Sequence, residues 1–104
     1  MALPVLGIFE YLLLCADETA RRLIRPKIRE FIADDEAANA ELVDTVLEYI
    51  ANDLNATASA KRMHVHVNTF YYRLDSIAKR TGCDLHRLAD LQELFVAIRL
   101  LRAG

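Results

Sequence analysis

The chain has 104 residues, the usual size of one domain, and 54% of them are hydrophobic, which is enough for a modest core without disulfides. With only three Gly and two Pro, the composition argues against a disordered chain and against a sandwich or barrel built from many glycine-marked turns. The net charge of −2 hides an uneven distribution, because residues 55–82 contain five basic residues and one acidic residue. A local basic surface of this kind is what binding to a polyanion requires.

The two cysteines, Cys15 and Cys83, do not indicate a disulfide framework. Cys15 lies in an apolar run, where we expect its thiol to be buried like a small hydrophobic side chain. This run, residues 11–16, lies between Glu10 and Asp17 and is too short to cross a membrane, and no signal-peptide pattern is present. We therefore expect a soluble, cytoplasmic protein with no membrane partner.

The first forty residues predict three short helices and a loop. Residues 4–15 are largely apolar and form the first helix. Asp17 offers an N-cap to a second helix over 18–24, and a proline separates it from a third helix over 26–33. The stretch ADDEAANAE, residues 33–41, is acidic and lacks large apolar residues, so we interpret it as a solvated loop.

The second half predicts amphipathic helices. Apolar residues spaced by four mark a helix over 41–54. Asn55 offers an N-cap to a shorter helix over 56–63, and a further helix over 67–80 ends before Gly82, which suits a left-handed C-cap.

Apolar residues, mostly leucines, spaced by three and four residues between 85 and 101 predict one or two closing helices. No stretch has the alternation of a β-strand, and no internal repeat is visible. The predicted fold is all-α, a compact helical domain of about six to seven helices.

Two of the predicted helices are joined by only three residues, His64, Val65 and His66. A short helix, a tight turn and a second helix form the helix-turn-helix, whose second helix lies in the major groove of DNA. A buried Val65 and the small Ala60 would let the two helices pack closely. At about 100° per residue, the second helix has an inner stripe of Phe70, Leu74, Ile77 and Thr81 and an outer face of Asn68, Tyr72, Asp75 and Lys79.

The same region carries a more specific signal. The stretch ELVDTVLEYIANDLNATASAKRMHVHVNTFYYRLDSIAKRTGCDL, with the leucine-rich end that follows, resembles the C-terminal helix-turn-helix domain of the PucR family of bacterial transcriptional regulators. The resemblance covers about residues 41–101 without a gap and extends more loosely to LIRPKIREF. The turn is also similar to the DNA-binding end of the nucleoid protein Fis. The resemblance implies a domain that binds double-stranded DNA and is normally attached to an effector-sensing region absent from this chain, so we expect a C-terminal fragment or a short stand-alone relative.

The resemblance also implies which residues touch DNA. It places the start of the recognition helix near His66, so that residues 66–69 approach base edges. Asn68 can pair with adenine through two hydrogen bonds, and Thr69 can bond a phosphate or pack on a thymine methyl. The four residues expected at the bases are His66, Val67, Asn68 and Thr69.

The flanking side chains are expected at the phosphates. Arg73 could instead fix the helix to the neighbouring part of the protein. Tyr71 could instead be half-buried against the N-terminal helices. Val67 and Tyr71 stand where the family often has basic residues, so we expect specific but modest binding by a homodimer on two half-sites about one helical turn apart. The expected phosphate contacts are Lys61, Arg62, Tyr71, Tyr72, Arg73 and Lys79.

The predicted organisation is an N-terminal helical segment over 1–40 and a helix-turn-helix DNA-binding domain over 41–104. The first segment would be a linker to the missing sensor region or a dimer contact. In a second hypothesis the chain is a helical interaction or dimerisation module, with the helix-turn-helix as an inert scaffold. The apolar residues that would pair with a partner are Leu3, Val5, Leu6, Ile8 and Phe9.

Histidine and cysteine residues raise the question of a metal site. Neither HVH, residues 64–66, nor CDLH, residues 83–86, has a recognised zinc spacing. The sequence places no activating base beside Cys83, no phosphate-cradling glycine loop and no pair of carboxylates in a cleft. We expect no metal, no cofactor and no enzymatic activity.

Overall fold

The computed structural model describes residues 7–103, and within that range the chain forms seven α-helices and no β-strand. The all-α prediction is confirmed. One closing helix is present, in agreement with the one or two that were predicted. In chain order the helices are α1 (Ile8–Cys15), α2 (Glu18–Arg22), α3 (Pro26–Ala38), α4 (Glu41–Ala51), α5 (Ala56–Arg62), α6 (Val67–Thr81) and α7 (Leu88–Ala103).

The predicted helix starts are confirmed by their caps. Asp17 accepts a hydrogen bond from the backbone N–H of Ala20 at 3.2 Å, and Asn55 accepts one from Ala58 at 2.9 Å. Each bond satisfies one of the N–H groups that the first turn of a helix leaves without a partner. Pro26 opens α3, where its missing N–H costs nothing.

The predicted loop over 33–41 is wrong for most of its length. Helix α3 continues to Ala38, and only Asn39 and Ala40 connect it to α4. Alanine and glutamate are good helix formers, so the stretch needs no large apolar residue to remain helical. The turn itself depends on Ala40, which adopts a left-handed backbone with φ 61°.

Asp35 has a structural role in place of the solvated position predicted for it. Its side chain is buried, and its carboxylate accepts hydrogen bonds from the backbone N–H groups of Leu42 at 3.3 Å and Val43 at 2.7 Å. These are N–H groups in the first turn of α4, which have no acceptor within their own helix. Asp35 therefore caps α4 from the neighbouring helix.

We expect the substitution Asp35→Ala to lower the free energy of unfolding by about 2–3 kcal/mol, because two buried N–H groups lose their acceptor. Asp35→Asn is the matched control, since its amide oxygen can still accept one bond, and it should lose less. Urea denaturation followed by circular dichroism measures both variants. A loss below about 0.5 kcal/mol for Asp35→Ala would mean that water replaces the cap.

One hydrophobic core joins α3, α4, α6 and α7. It therefore crosses the predicted division between residues 1–40 and 41–104, because α3 contributes Ile28 to the same core as α6. A role of the first segment as linker or dimer contact remains a prediction, and within the described residues it concerns α1 and α2. The largest fully buried side chains are Phe70, Ile28, Ile77, Leu94 and Ile98.

Helix α1 packs on α7 through aromatic rings and an ion pair. The rings of Phe9 and Phe95 stack with their centroids 5.4 Å apart. The guanidinium of Arg99 lies over both rings and donates to the carboxylate of Glu10 at 2.7 Å. These contacts hold α1 by one side only.

The remaining surface of α1 is apolar and exposed. Ile8 is 81% exposed, and Tyr11, Leu12 and Leu14 are also exposed. Cys15 lies at the end of this helix and is exposed, so the prediction of a buried thiol is wrong. The predicted apolar contacts at Leu3, Val5 and Leu6 lie outside the described residues.

Candidate nucleic-acid interface

The turn between α5 and α6 is four residues long, Met63–His66, one more than predicted. The N–H of His64 donates to the carbonyl of Lys61 at 3.2 Å, and the N–H of Val65 donates to that of Ala60 at 3.0 Å. This pair of bonds is the Schellman motif, which satisfies carbonyls left free at the end of a helix. The motif ends α5 and turns the chain towards α6.

His64 occupies the left-handed position of this motif, with φ 58°. Glycine is the usual residue there, and histidine is among the few others enriched in this conformation. No sequence pattern predicted this left-handed backbone at His64. Ala60 is buried as predicted, whereas Val65 is only partly buried as it packs against the core.

We expect His64→Gly to raise the free energy of unfolding by about 0.5–1 kcal/mol, because glycine adopts this backbone without a steric cost. His64→Ala is the control, since it keeps the Cβ atom and should give no gain. Chemical denaturation of the three proteins measures the difference. An equal gain in both variants would assign the effect to the imidazole and not to the backbone.

Helix α6 has the two faces that its sequence predicts. On the inner side Phe70, Ile77 and Thr81 are buried and Leu74 is partly buried. The ring of Phe70 lies against that of Tyr49 on α4, with 5.8 Å between centroids. The outer residues Asn68, Tyr72, Asp75 and Lys79 are exposed.

The C-terminal end of α6 is fixed as predicted by Gly82. Its backbone is left-handed, with φ 76°, and its N–H donates to the carbonyl of Ala78 at 2.9 Å. The buried hydroxyl of Thr81 accepts from the N–H of Cys83 at 3.1 Å. The C-terminal end of α6 is therefore closed by specific hydrogen bonds.

At its N-terminal end, α6 exposes three of the four residues predicted to reach base edges. His66, Asn68 and Thr69 are exposed, whereas Val67 is partly buried and packs against the core. The imidazole Nδ1 of His66 accepts a hydrogen bond from the N–H of Asn68 at 3.0 Å and so caps the helix.

The two tyrosines of α6 are both accessible. Tyr71 is 56% exposed and Tyr72 is 75% exposed. Tyr71 borders a cleft of about 190 Å³ that is also lined by Tyr49 and His86. The alternative prediction was that Tyr71 is half-buried against the N-terminal helices, and none of their residues lines this cleft. Burial, with a smaller contribution from Tyr71, raises the pKa of Tyr49, which favours its neutral form at physiological pH.

The basic residues predicted at phosphates lie on exposed surfaces of α5 and α6. Arg62 is 3.6 Å from the carboxylate of Glu48, and Lys79 is 3.7 Å from that of Asp75. Lys61 is exposed beside Arg62 at the end of α5. Exposed ion pairs of this kind contribute little to stability, so these cations can exchange their partners for a phosphate.

Arg73 differs from the other basic residues. Its side chain is only 14% exposed, and its Nη2 atom lies 3.3 Å from Oε2 of Glu41 on the first turn of α4. The contact joins α6 to the helix beside it. Of the two roles predicted for Arg73, this geometry favours fixing the helix.

The histidines and cysteines do not converge on a metal site in the described part of the chain. Among residues 7–103, no group of three or more His, Cys, Asp or Glu side chains is placed to hold a metal ion. The buried sulfur of Cys83 accepts instead from the guanidinium of Arg25 at 3.3 Å. Within the same range, no helix has both the length and the apolar character needed to span a bilayer.

A short helix, a tight turn, and a second helix with a buried stripe and an exposed polar face define a helix-turn-helix domain of the DNA-binding class. The PucR C-terminal helix-turn-helix domain matches residues 42–100. The chain belongs to the PucR family of transcriptional regulators. The resemblance inferred from the sequence is therefore confirmed.

Three relatives with curated sequences show the extent of the similarity. The carbohydrate diacid regulator of Escherichia coli K12 is 33% identical over 84 residues, which are 81% of this chain and 21% of that protein. The uncharacterized protein YxkF of Bacillus subtilis 168 is 32% identical over 75% of this chain and 25% of its own length. The proline-responsive transcriptional activator PutR of Bacillus subtilis 168 is 29% identical over 67% of this chain and 17% of its own length. The matched region is thus a quarter or less of each relative. No solved structure matches the chain.

Proposed function

We propose that this chain binds double-stranded DNA in a sequence-specific manner as the DNA-binding domain of a PucR-type transcriptional regulator. Helix α6 lies in the major groove, and α5 crosses the phosphate backbone. The observation that carries the proposal is the exposed outer face of α6, from Asn68 to Lys79, held in place by the buried Phe70 and Ile77.

The N-terminal residues of α6 read the bases. The exposed amide of Asn68 has the donor and acceptor that pair with N7 and the N6 amino group of adenine. Thr69 follows it on the exposed surface and can bond a phosphate or pack on a thymine methyl. Because Val67 packs inwards, its part is to hold the helix start in place rather than to touch a base.

The phosphates are contacted by side chains on both helices. Lys61 and Arg62 lie at the end of α5, the helix that crosses the backbone, and Lys79 lies on the outer face of α6. Tyr71 and Tyr72 can donate their hydroxyls to phosphates or stack on sugars. Arg73 acts indirectly in this proposal, by holding α6 against Glu41.

A homodimer supplies two such helices to two half-sites about one helical turn apart. The exposed apolar side of α1, with Ile8 and Leu12, is the surface that would meet a second copy. Two of the relatives are named for carbohydrate diacid and for proline. We propose that this chain responds to an effector through a region other than residues 42–100.

Fluorescence anisotropy of labelled duplexes tests the proposal. The titrations use a randomised duplex pool and a duplex from the region upstream of the chain's own gene, each at two salt concentrations. We expect tighter binding to one duplex and a marked loss of affinity at the higher salt concentration. A folded chain that binds neither duplex, or binds both equally, would contradict the proposal.

The second candidate function is an interaction or dimerisation module, which the exposed apolar side of α1 favours. Sedimentation of the chain and of an Ile8→Asp, Leu12→Asp variant separates the two. If DNA binding is the function, the variant becomes monomeric and still binds a single half-site weakly. If association is the function, the wild-type chain associates and shows no preference for any duplex.

A further inference from the structure

His66 occupies the N-cap of α6, a position usually held by Ser, Thr, Asp or Asn. Its backbone is extended, with φ −67° and ψ 147°, and its Nδ1 atom lies 3.0 Å from the backbone nitrogen of Asn68. A backbone N–H can only donate, so Nδ1 must be the unprotonated nitrogen that accepts. In the ring that makes this hydrogen bond, the proton is on Nε2 and Nδ1 carries none.

The same ring lies where a recognition helix meets base edges. His66 is exposed and directly precedes α6, and Asn68 is exposed two residues further on. The N-terminal residues of the second helix are those that contact bases in a helix-turn-helix. The far side of the ring thus carries a single hydrogen-bond donor in the part of the domain that is proposed to enter the major groove.

We infer that His66 determines specificity by donating its Nε2–H to an acceptor on a base edge, O6 or N7 of guanine or O4 of thymine. The inference rests on the proposed function, since it needs α6 to lie in the major groove. The acceptors named are ones that the major groove presents to a single donor, and N7 of the one adenine that pairs with Asn68 is already occupied in the proposal. The cap thus fixes which edge of the ring DNA meets.

Because its ring is neutral in this hydrogen bond, His66 should differ from the basic residues in how it affects the salt dependence of DNA binding. A cation at a phosphate releases a counterion and makes binding depend on salt, whereas a neutral donor does not. His66 therefore contributes base preference without changing the salt slope. A charged imidazolium would need a proton on Nδ1, which would then face the N–H of Asn68 and break the cap.

Two substitutions separate the capping atom from the reading atom. In His66→Asn, the side-chain oxygen takes the place of Nδ1 and keeps the cap, but no group reaches the position of Nε2. In His66→Gln, the terminal amide nitrogen reaches the position of Nε2 and donates there, but the cap is lost. The two variants thus remove opposite halves of the imidazole.

The experiment selects binders from a randomised duplex pool with each protein and sequences them. We expect His66→Asn to lose about three- to tenfold preference at one base pair of each half-site, with an unchanged salt slope and unchanged stability. We expect His66→Gln to keep that preference and to be less stable towards urea. A purely structural His66 would give the reverse pattern, which would overturn the inference.

A long-range ¹H–¹⁵N spectrum of the histidine rings provides a second, independent measurement. It distinguishes a protonated ring nitrogen from an unprotonated one, and a proton on Nδ1 of His66 in the free protein would overturn the inference. Failure of the proposed function is seen separately, because the wild-type chain would then select no sequence from the pool. That result would also remove the base contact proposed for His66.

Discussion

The substitution Phe70→Ala is expected to lower the free energy of unfolding by about 3–5 kcal/mol. Phe70 is the largest of the fully buried side chains. The centroids of its ring and that of Tyr49 are 5.8 Å apart, so α6 loses this aromatic contact with α4 as well as the transfer free energy of the ring. A domain of this size is stable by only about 5–15 kcal/mol in total.

The variant should therefore be partly unfolded at physiological temperature, and its DNA binding should fall with the folded fraction. Urea denaturation at low temperature measures the loss of stability. Phe70→Leu is a core control that should lose less, and the exposed Tyr72→Ala should leave stability nearly unchanged. A loss below about 1 kcal/mol for Phe70→Ala would mean that the core of the free domain is not the one described.

Removal of three positive charges, by Lys61→Gln, Arg62→Gln and Lys79→Gln together, is expected to weaken DNA binding several-hundred-fold at about 0.1 M salt. Each phosphate contact adds about 0.9 to the slope of log affinity against log salt concentration. Three contacts therefore account for almost three powers of ten in affinity between about 1 M and about 0.1 M salt. All three side chains are exposed, and stability should change little. Anisotropy titrations over a range of salt concentrations give both the affinity and the slope.

The control removes the same charge from the N-terminal helices, by Arg22→Gln, Lys27→Gln and Arg29→Gln. These residues are exposed on α2 and α3. This variant should lose less than about tenfold in affinity, through the overall field of the protein alone. An equal loss in the two triple variants would assign DNA binding to net charge and would remove the specific role of α5 and α6.

Features decided by nearby residues could be predicted from the sequence. The caps at Asp17, Asn55 and Gly82 depend on one side chain or one backbone conformation, and all three are confirmed. The inner and outer faces of α6 follow from the period of the helix, and they are confirmed as well. The three caps each have their hydrogen-bond partner within four residues, and the faces of α6 depend only on the helix period.

Features that depend on contacts between helices could not be predicted in this way. The acceptor that Asp35 provides to α4 and the contact of Arg73 with Glu41 join different helices, and no local pattern pairs them. The exposure of Cys15 depends on which side of α1 is covered by α7. The left-handed backbone of His64 is set by the turn and not by a preference of histidine alone.

For the candidate site, the sequence indicated which residues are accessible but not how they are held. The exposure of Asn68, Thr69 and Tyr72 agrees with the predicted outer face. The inward packing of Val67 and the cap formed by His66 required the three-dimensional arrangement of the turn. The assignment of these residues to bases or phosphates stays a prediction that the titrations address.

The junctions that frame α4 and α5 contain four residues with positive φ, and none of them is glycine. β-branched side chains fit this backbone worst, whereas glycine, asparagine and aspartate fit it well. Among related sequences we therefore expect these four positions to avoid Val, Ile and Thr whatever operator each regulator recognises. The residue types allowed at these four positions depend on the backbone conformation, whereas we expect those on the outer face of α6 to depend on the DNA sequence that is bound. The four positions are Ala40, Asp53, Leu54 and His64.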